Sequence, residues 1–136
     1  MASSEVFHVA AHGVHRQDSP LFSSLRLADG PLYAYELDPS SGLAGCVVLS
    51  ACEAGLTTLR PGDESLGLSH VLLQLGTSSV IAGVARVGDD VSARLMDGVH
   101  RAMARGTDAA SALAEAQREN VTDGAVPAFV CFGDTW

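Results

Sequence analysis

Four short, continuously apolar runs punctuate this chain, at residues 6–11, 46–51, 79–84 and 127–132. A strand with one wet face alternates apolar and polar residues, so runs without alternation belong to strands covered on both faces. Helical spacing fills the intervals. Leu66, Val71, Leu72 and Leu75 fall close to helical spacing, with Gly76 as a C-terminal stop. Val91, Leu95, Val99 and Met103 mark a second helix, capped by Asp89 or Asp90, running to about Arg105 and closed by Gly106. Thr107 or Asp108 caps a third, Ala-rich helix to about Glu119. Strands alternating with helices specify an α/β fold, with a parallel sheet between two helical layers.

The rest is less regular. Leu25-Arg26-Leu27, the turn signal Asp29-Gly30 and Leu32-Tyr33-Ala34-Tyr35 predict a small hairpin. Residues 38–42 and 60–63 read as loops by composition. The first apolar run begins by Val6, which predicts a piece of a longer protein or a sheet edge completed by another chain.

At 136 residues the chain is one domain, and 47% hydrophobic with 18% charged residues is a globular balance. The net charge of -8, with eight basic residues that are all Arg, argues against a nucleic-acid binder, which needs a basic face. Three cysteines, two of them in apolar runs, argue against a disulfide framework and for a reducing compartment. No apolar stretch reaches the length of a membrane span, and Met1–Glu5 has no signal-peptide character. The expectation is a cytoplasmic protein with no membrane or nucleic-acid partner.

The first two runs lead into reactive side chains. The first enters His12-Gly13 and the second enters Cys52-Glu53-Ala54-Gly55. If the strands are parallel neighbours, His12 and Cys52 meet at the carboxyl edge of the sheet, where open α/β sheets keep their sites. An imidazole can draw the proton from a thiol, and the thiolate is the nucleophile. Cys46 and Cys131 lie in apolar runs, where a thiol is a small hydrophobe. Position alone leaves Cys52 open to the same reading.

His8, His12 and His15 with Cys52 also make a His/Cys zinc set, although the spacing matches no familiar finger or ribbon. His8, in mid-strand, reads as packed and hydrogen-bonded, and His70 and His100 as surface or packing residues. Asp63, Glu64, Asp89 and Asp90 precede helices, where acids suit the helix dipole. On loops that follow strand ends they would also line a cleft suited to a basic side chain. Glycine-rich phosphate loops and a Gly-x-Ser-x-Gly elbow are missing from the sequence.

The segments His8-Val9-Ala10-Ala11-His12-Gly13 and Val47-Val48-Leu49-Ser50-Ala51-Cys52-Glu53-Ala54-Gly55 resemble the two signature segments of the CHAT domain. That domain is a caspase-like (clan CD) cysteine peptidase family, often joined to tetratricopeptide repeats. The resemblance continues through Gly62-Asp63-Glu64-Ser65-Leu66-Gly67-Leu68, Gly76-Thr77-Ser78-Ser79-Val80-Ile81-Ala82 and Pro127-Ala128-Phe129-Val130. Two aromatic positions depart from the family pattern, at Ala82-Gly83-Val84-Ala85-Arg86-Val87 and at Val126-Pro127.

The resemblance implies a caspase-like three-layer α/β/α domain over residues 1–136, with a mostly parallel sheet lacking the family's first strands. It implies His12 as base, Cys52 as nucleophile, and the backbone N–H groups of Gly13 and Cys52 as oxyanion donors. It implies no cofactor. The function expected is cysteine endopeptidase, with Glu53, Asp63, Glu64, Asp89 and Asp90 as candidate substrate contacts. The expected partners are a protein or peptide substrate and tetratricopeptide-type repeats, or another chain completing the sheet. The alternative is a catalytically silent interaction module that pairs through its edge strand, as in a homodimer.

Overall fold

The second and third apolar runs form the two central strands of a four-stranded sheet. The computed structural model describes residues 6–9, 13–14, 18–36, 45–50, 63–85 and 87–134. Its elements are β1 Val6–Val9, β2 Gly13–Val14, β3 Ser24–Leu27, β4 Gly30–Tyr33, β5 Cys46–Leu49, α1 Asp63–Gln74, β6 Ser79–Gly83, α2 Asp89–Ala104, α3 Ala109–Glu119 and β7 Phe129–Gly133. The main sheet has the order β1-β5-β6-β7, and β2-β3-β4 form a small second sheet. The strands at residues 46 and 79 end at Leu49 and Gly83, somewhat inside the apolar runs. The last strand begins at Phe129 instead of 127 and includes Gly133.

β1 and β6 both run parallel to β5, whereas β7 is antiparallel to β6. The connections account for this. Among the described residues, one helix lies between β5 and β6 and returns the chain to the same starting edge, while two successive helices between β6 and β7 add one more reversal. The expected sheet is therefore mostly parallel.

Both faces of the central strands are covered, which explains why their residues do not alternate. Cys46, Val48 and Ile81 pack with Leu95, Met96 and Val99 of α2 and with Ala109, Ala112, Leu113 and Ala116 of α3. Val47, Leu49, Val80 and Ala82 face the other way, against Leu68 and Leu72 of α1 and Leu25 of β3. This gives three layers, with α1 and the hairpin on one side and α2 and α3 on the other. Each fully covered Val, Leu or Ile contributes about 1.5–3 kcal/mol relative to exposure. Among the described residues no helix is long and apolar enough to cross a membrane.

Helix ends follow local chemistry. Gly76 and Gly106 take positive φ, and Thr77 N and Thr107 N donate to Leu72 O and Ala102 O. That is the αL stop expected at both sites. Asp108 caps α3, its carboxylate accepting from Ser111 N at 3.0 Å. The expectation that Asp89 or Asp90 caps α2 is corrected: Gly88 is the cap, without a side-chain bond, and both acids lie in the first turn. A first-turn carboxylate and a capping one both favour a helix start, so the sequence signal is off by one position. The hairpin forms as expected, but Leu27 pairs with Gly30, so the turn is Ala28-Asp29 and not Asp29-Gly30.

Candidate active site

The register between β1 and β5 organises the candidate site. Val6, Phe7, His8 and Val9 pair in turn with Cys46, Val47, Val48 and Leu49. One further ladder bond, from Ser50 N to Val9 O at 3.1 Å, carries the pairing past Leu49. Because β1, β5 and β6 are parallel, the segments that follow them leave the sheet at the same carboxyl edge. His12 lies three positions after Val9, and Cys52 three positions after Leu49. His12, His15, Cys52 and Glu53 are outside the described residues.

The described residues at this edge form a polar cluster. His8 shares its side of β1 with Val6, which packs against the α2/α3 core. Its Nε2 is 2.5 Å from Ser50 Oγ, and its Nδ1 is 2.8 Å from His100 Nε2 on α2. The two imidazoles overlap, with ring centroids 4.9 Å apart and planes tilted by 33°. Of the two facing ring nitrogens, one must carry the proton and the other accept it. His8 therefore is hydrogen-bonded, as expected, but it is exposed rather than packed away, and His100 is more than a surface or packing residue. The sequence carries no sign of a contact between positions 8 and 100, on elements with different periodicities.

Partial burial, followed by the neighbouring His100, holds the His8 pKa below its ordinary 6.5. The neutral ring is the folded-state form near neutral pH, and the unfolded chain takes up the proton first as pH falls. The stabilising contribution is complete above about pH 6.5 and is lost on descent through the folded-state pKa. Urea unfolding should have a lower midpoint at about pH 5.5 than at about pH 7.5, with a smaller difference in His8→Gln.

The two described thiols are held back. Burial raises the Cys46 pKa, partly opposed by the Ser79 hydroxyl. Cys131 is pushed up to about 11, by burial first and then by Cys46 and Asp108. A thiol with so high a pKa is protonated near neutrality and is a poor nucleophile there. Both residues fit the expected role of small hydrophobes.

Gly13 is held in β2, opposite Leu25 of β3, so the segment after His12 is anchored in the second sheet. The expected loop positions of the four acids are corrected. Asp63 and Glu64 begin α1, and Asp89 and Asp90 begin α2, each helix starting after a parallel strand. Asp89 and Asp90 are exposed, and Asp90 lies 3.9 Å from Arg94. That pair is largely solvated and weak. Both carboxylates therefore remain accessible to a basic group. Among the described residues no cluster of three or more His, Cys, Asp or Glu side chains could hold a metal ion. Three members of the candidate zinc set, His12, His15 and Cys52, fall outside them.

A family model for the CHAT domain matches residues 2–128, which includes every described element before β7. A search of curated proteins finds no match.

Proposed function

The chain belongs to the CHAT domain family, a caspase-like family, and from that premise we propose that it is a cysteine endopeptidase with Cys52 as nucleophile and His12 as base. The observation that carries this reading is the in-register parallel pairing of β1 with β5. Two strands paired residue for residue, with His12 and Cys52 each three positions past the last couple, favour a meeting of the two side chains at one edge. The raised pKa values of Cys46 and Cys131 support Cys52 as the reactive thiol.

In this mechanism His12 draws the proton from Cys52, and the thiolate attacks the peptide carbonyl carbon. The C–S bond forms as the carbonyl π pair moves to oxygen. The N–H groups of Gly13 and Cys52 stabilise that oxyanion. Collapse breaks the C–N bond, and the His12 imidazolium protonates the departing amine. Water, deprotonated by His12, then attacks the thioester and releases the acid and the thiol.

Glu53, Asp63, Glu64, Asp89 and Asp90 would make the approach to this edge acidic, which selects Arg or Lys before the scissile bond. Profiling a peptide library with wild type and Cys52→Ala tests the proposal. Cleavage after basic residues by the wild type alone is the expected result. Equal cleavage by both proteins contradicts it.

The edge position of β1 motivates a second reading. Its outer side pairs with no strand among the described residues, and Phe7 on it is 53% exposed. Such an edge is a template for strand pairing, consistent with a catalytically silent module that binds a second copy or another chain. Sedimentation separates the readings, since a strict monomer at every concentration removes self-pairing.

A further inference from the structure

The hydrogen-bonded chain Ser50–His8–His100 joins three elements that are distant in sequence. Ser50 Oγ contacts His8 Nε2 at 2.5 Å, and His8 Nδ1 contacts His100 Nε2 at 2.8 Å. Ser50 stands at the end of β5, two positions before Cys52, and His8 lies in β1, four positions before His12. His100 adds α2, whose neighbouring Val99 is fully buried in the core. The chain thus ties both strand ends to each other and to a helix fixed by its own packing.

Two protonation patterns satisfy the chain, because a hydroxyl both donates and accepts. In one, His100 Nε2–H donates to His8 Nδ1 while His8 Nε2–H donates to Ser50 Oγ; in the other the polarity is reversed. If His8 Nδ1–H donates to His100 Nε2, His8 Nε2 is left as an acceptor for the Ser50 hydroxyl. Ser50 N is already engaged with Val9 O. Ser50 is therefore held by backbone and side chain at once, immediately before the segment that carries Cys52.

We propose that Ser50, His8 and His100 are positioning residues that set the spacing between the His12 and Cys52 side chains. The proposal rests on the peptidase reading above. A base and a nucleophile must approach within about 2.6–3.2 Å, and displacements of about 1 Å cost up to roughly 100-fold in rate. A side-chain bridge across the two strand ends limits that displacement where the main-chain ladder ends. Truncating the bridge loosens the thiolate–imidazolium contact, and the Cys52 thiol pKa rises toward that of a free thiol.

Two measurements test the proposal. The first is ¹⁵N NMR of the uniformly labelled protein, read for scalar coupling across the His8 Nδ1–His100 Nε2 hydrogen bond. Coupling in the wild type that disappears in His100→Phe is expected, and its absence from the wild type overturns the proposal.

The second is the pH–rate profile of Cys52 alkylation by iodoacetamide, with the modified site mapped by mass spectrometry. The wild-type midpoint should lie well below the free-thiol value of about 8.5. Ser50→Ala and His100→Phe should raise it by about one unit, a roughly tenfold loss of rate at low pH, and Ser50→Thr should restore it. Variants that superimpose on a depressed wild-type profile overturn the positioning role and leave the dyad intact. An ordinary-thiol profile for wild-type Cys52 overturns the dyad, and the positioning role with it. Should Ser50→Ala not fold, His100→Phe, which keeps an aromatic ring beside His8, carries the comparison.

Discussion

Cys52→Ala is expected to lower kcat/KM for peptide cleavage by roughly 10⁴-fold or more, because neither Cys46 nor Cys131 can replace it. Cys46 is fully buried on the α2/α3 side of β5, and Cys131 is held protonated by a pKa of about 11. His12→Ala should have an effect of similar size, since a thiol without its base is both less ionised and unable to protonate the leaving amine. The double variant should be little worse than either single one. Members of a catalytic unit act together, so their losses do not add. Progress curves on a peptide identified by library profiling measure all three variants. Additive losses would mean that the two residues act independently.

Gly133→Ala is expected to destabilise the fold by about 3–5 kcal/mol, from strain and overpacking together. Gly133 ends β7 opposite Ser79 with φ +96, in the left-handed region that side chains avoid. A Cβ there would lie 2.2 Å from Ser78 O, 2.9 Å from Leu73 Cδ2 and 3.1 Å from Ser79 Cα. The first and third neighbours are backbone at the start of a central strand, and Ser78 O also accepts from Asp134 N. Relief would require moving β7 away from β6.

Gly30→Ala is the control, because Gly30 has φ +122 but no atom within 4 Å of the added Cβ. It should cost about 1–3 kcal/mol, the conformational part alone. Urea denaturation of both variants reads the difference, and equal losses would remove the steric argument.

The legible part of the fold is the part set by local burial and local caps. Residues 46–49 and 79–83 lack alternation because both of their faces are covered, and that pattern is visible without coordinates. The α3 start was readable from Asp108, whose carboxylate does accept from Ser111 N. The α2 start is ambiguous by one residue in the sequence, because Asp89-Asp90 is as favourable in a first turn as at a cap. The antiparallel β7 was implicit in two consecutive helical segments, since parity of reversals sets strand direction.

The candidate site divides along the same line. His12 and Cys52 could be singled out from the sequence because each follows an apolar run by a fixed offset, and the β1–β5 register gives those equal offsets a physical meaning. Ser50 and His100 could not. Ser50 reads as one more small residue at a strand end, and His100 lies beside the apolar stripe of α2. Their connection through His8 exists only because the sheet brings β1 against β5 and packs α2 over that face. Contacts between residues far apart in sequence depend on topology, which periodicity does not encode.

The most direct measurement is site-resolved alkylation of the intact protein at about pH 6.5, comparing wild type with His12→Ala. A thiol paired with an imidazole is ionised there, whereas an ordinary or buried thiol is almost wholly protonated. Wild-type Cys52 is expected to react at least about ten times faster than Cys46 or Cys131, and His12→Ala to abolish the difference. A Cys52 rate equal to that of the buried thiols, or one that His12→Ala leaves unchanged, would contradict the pairing of His12 with Cys52.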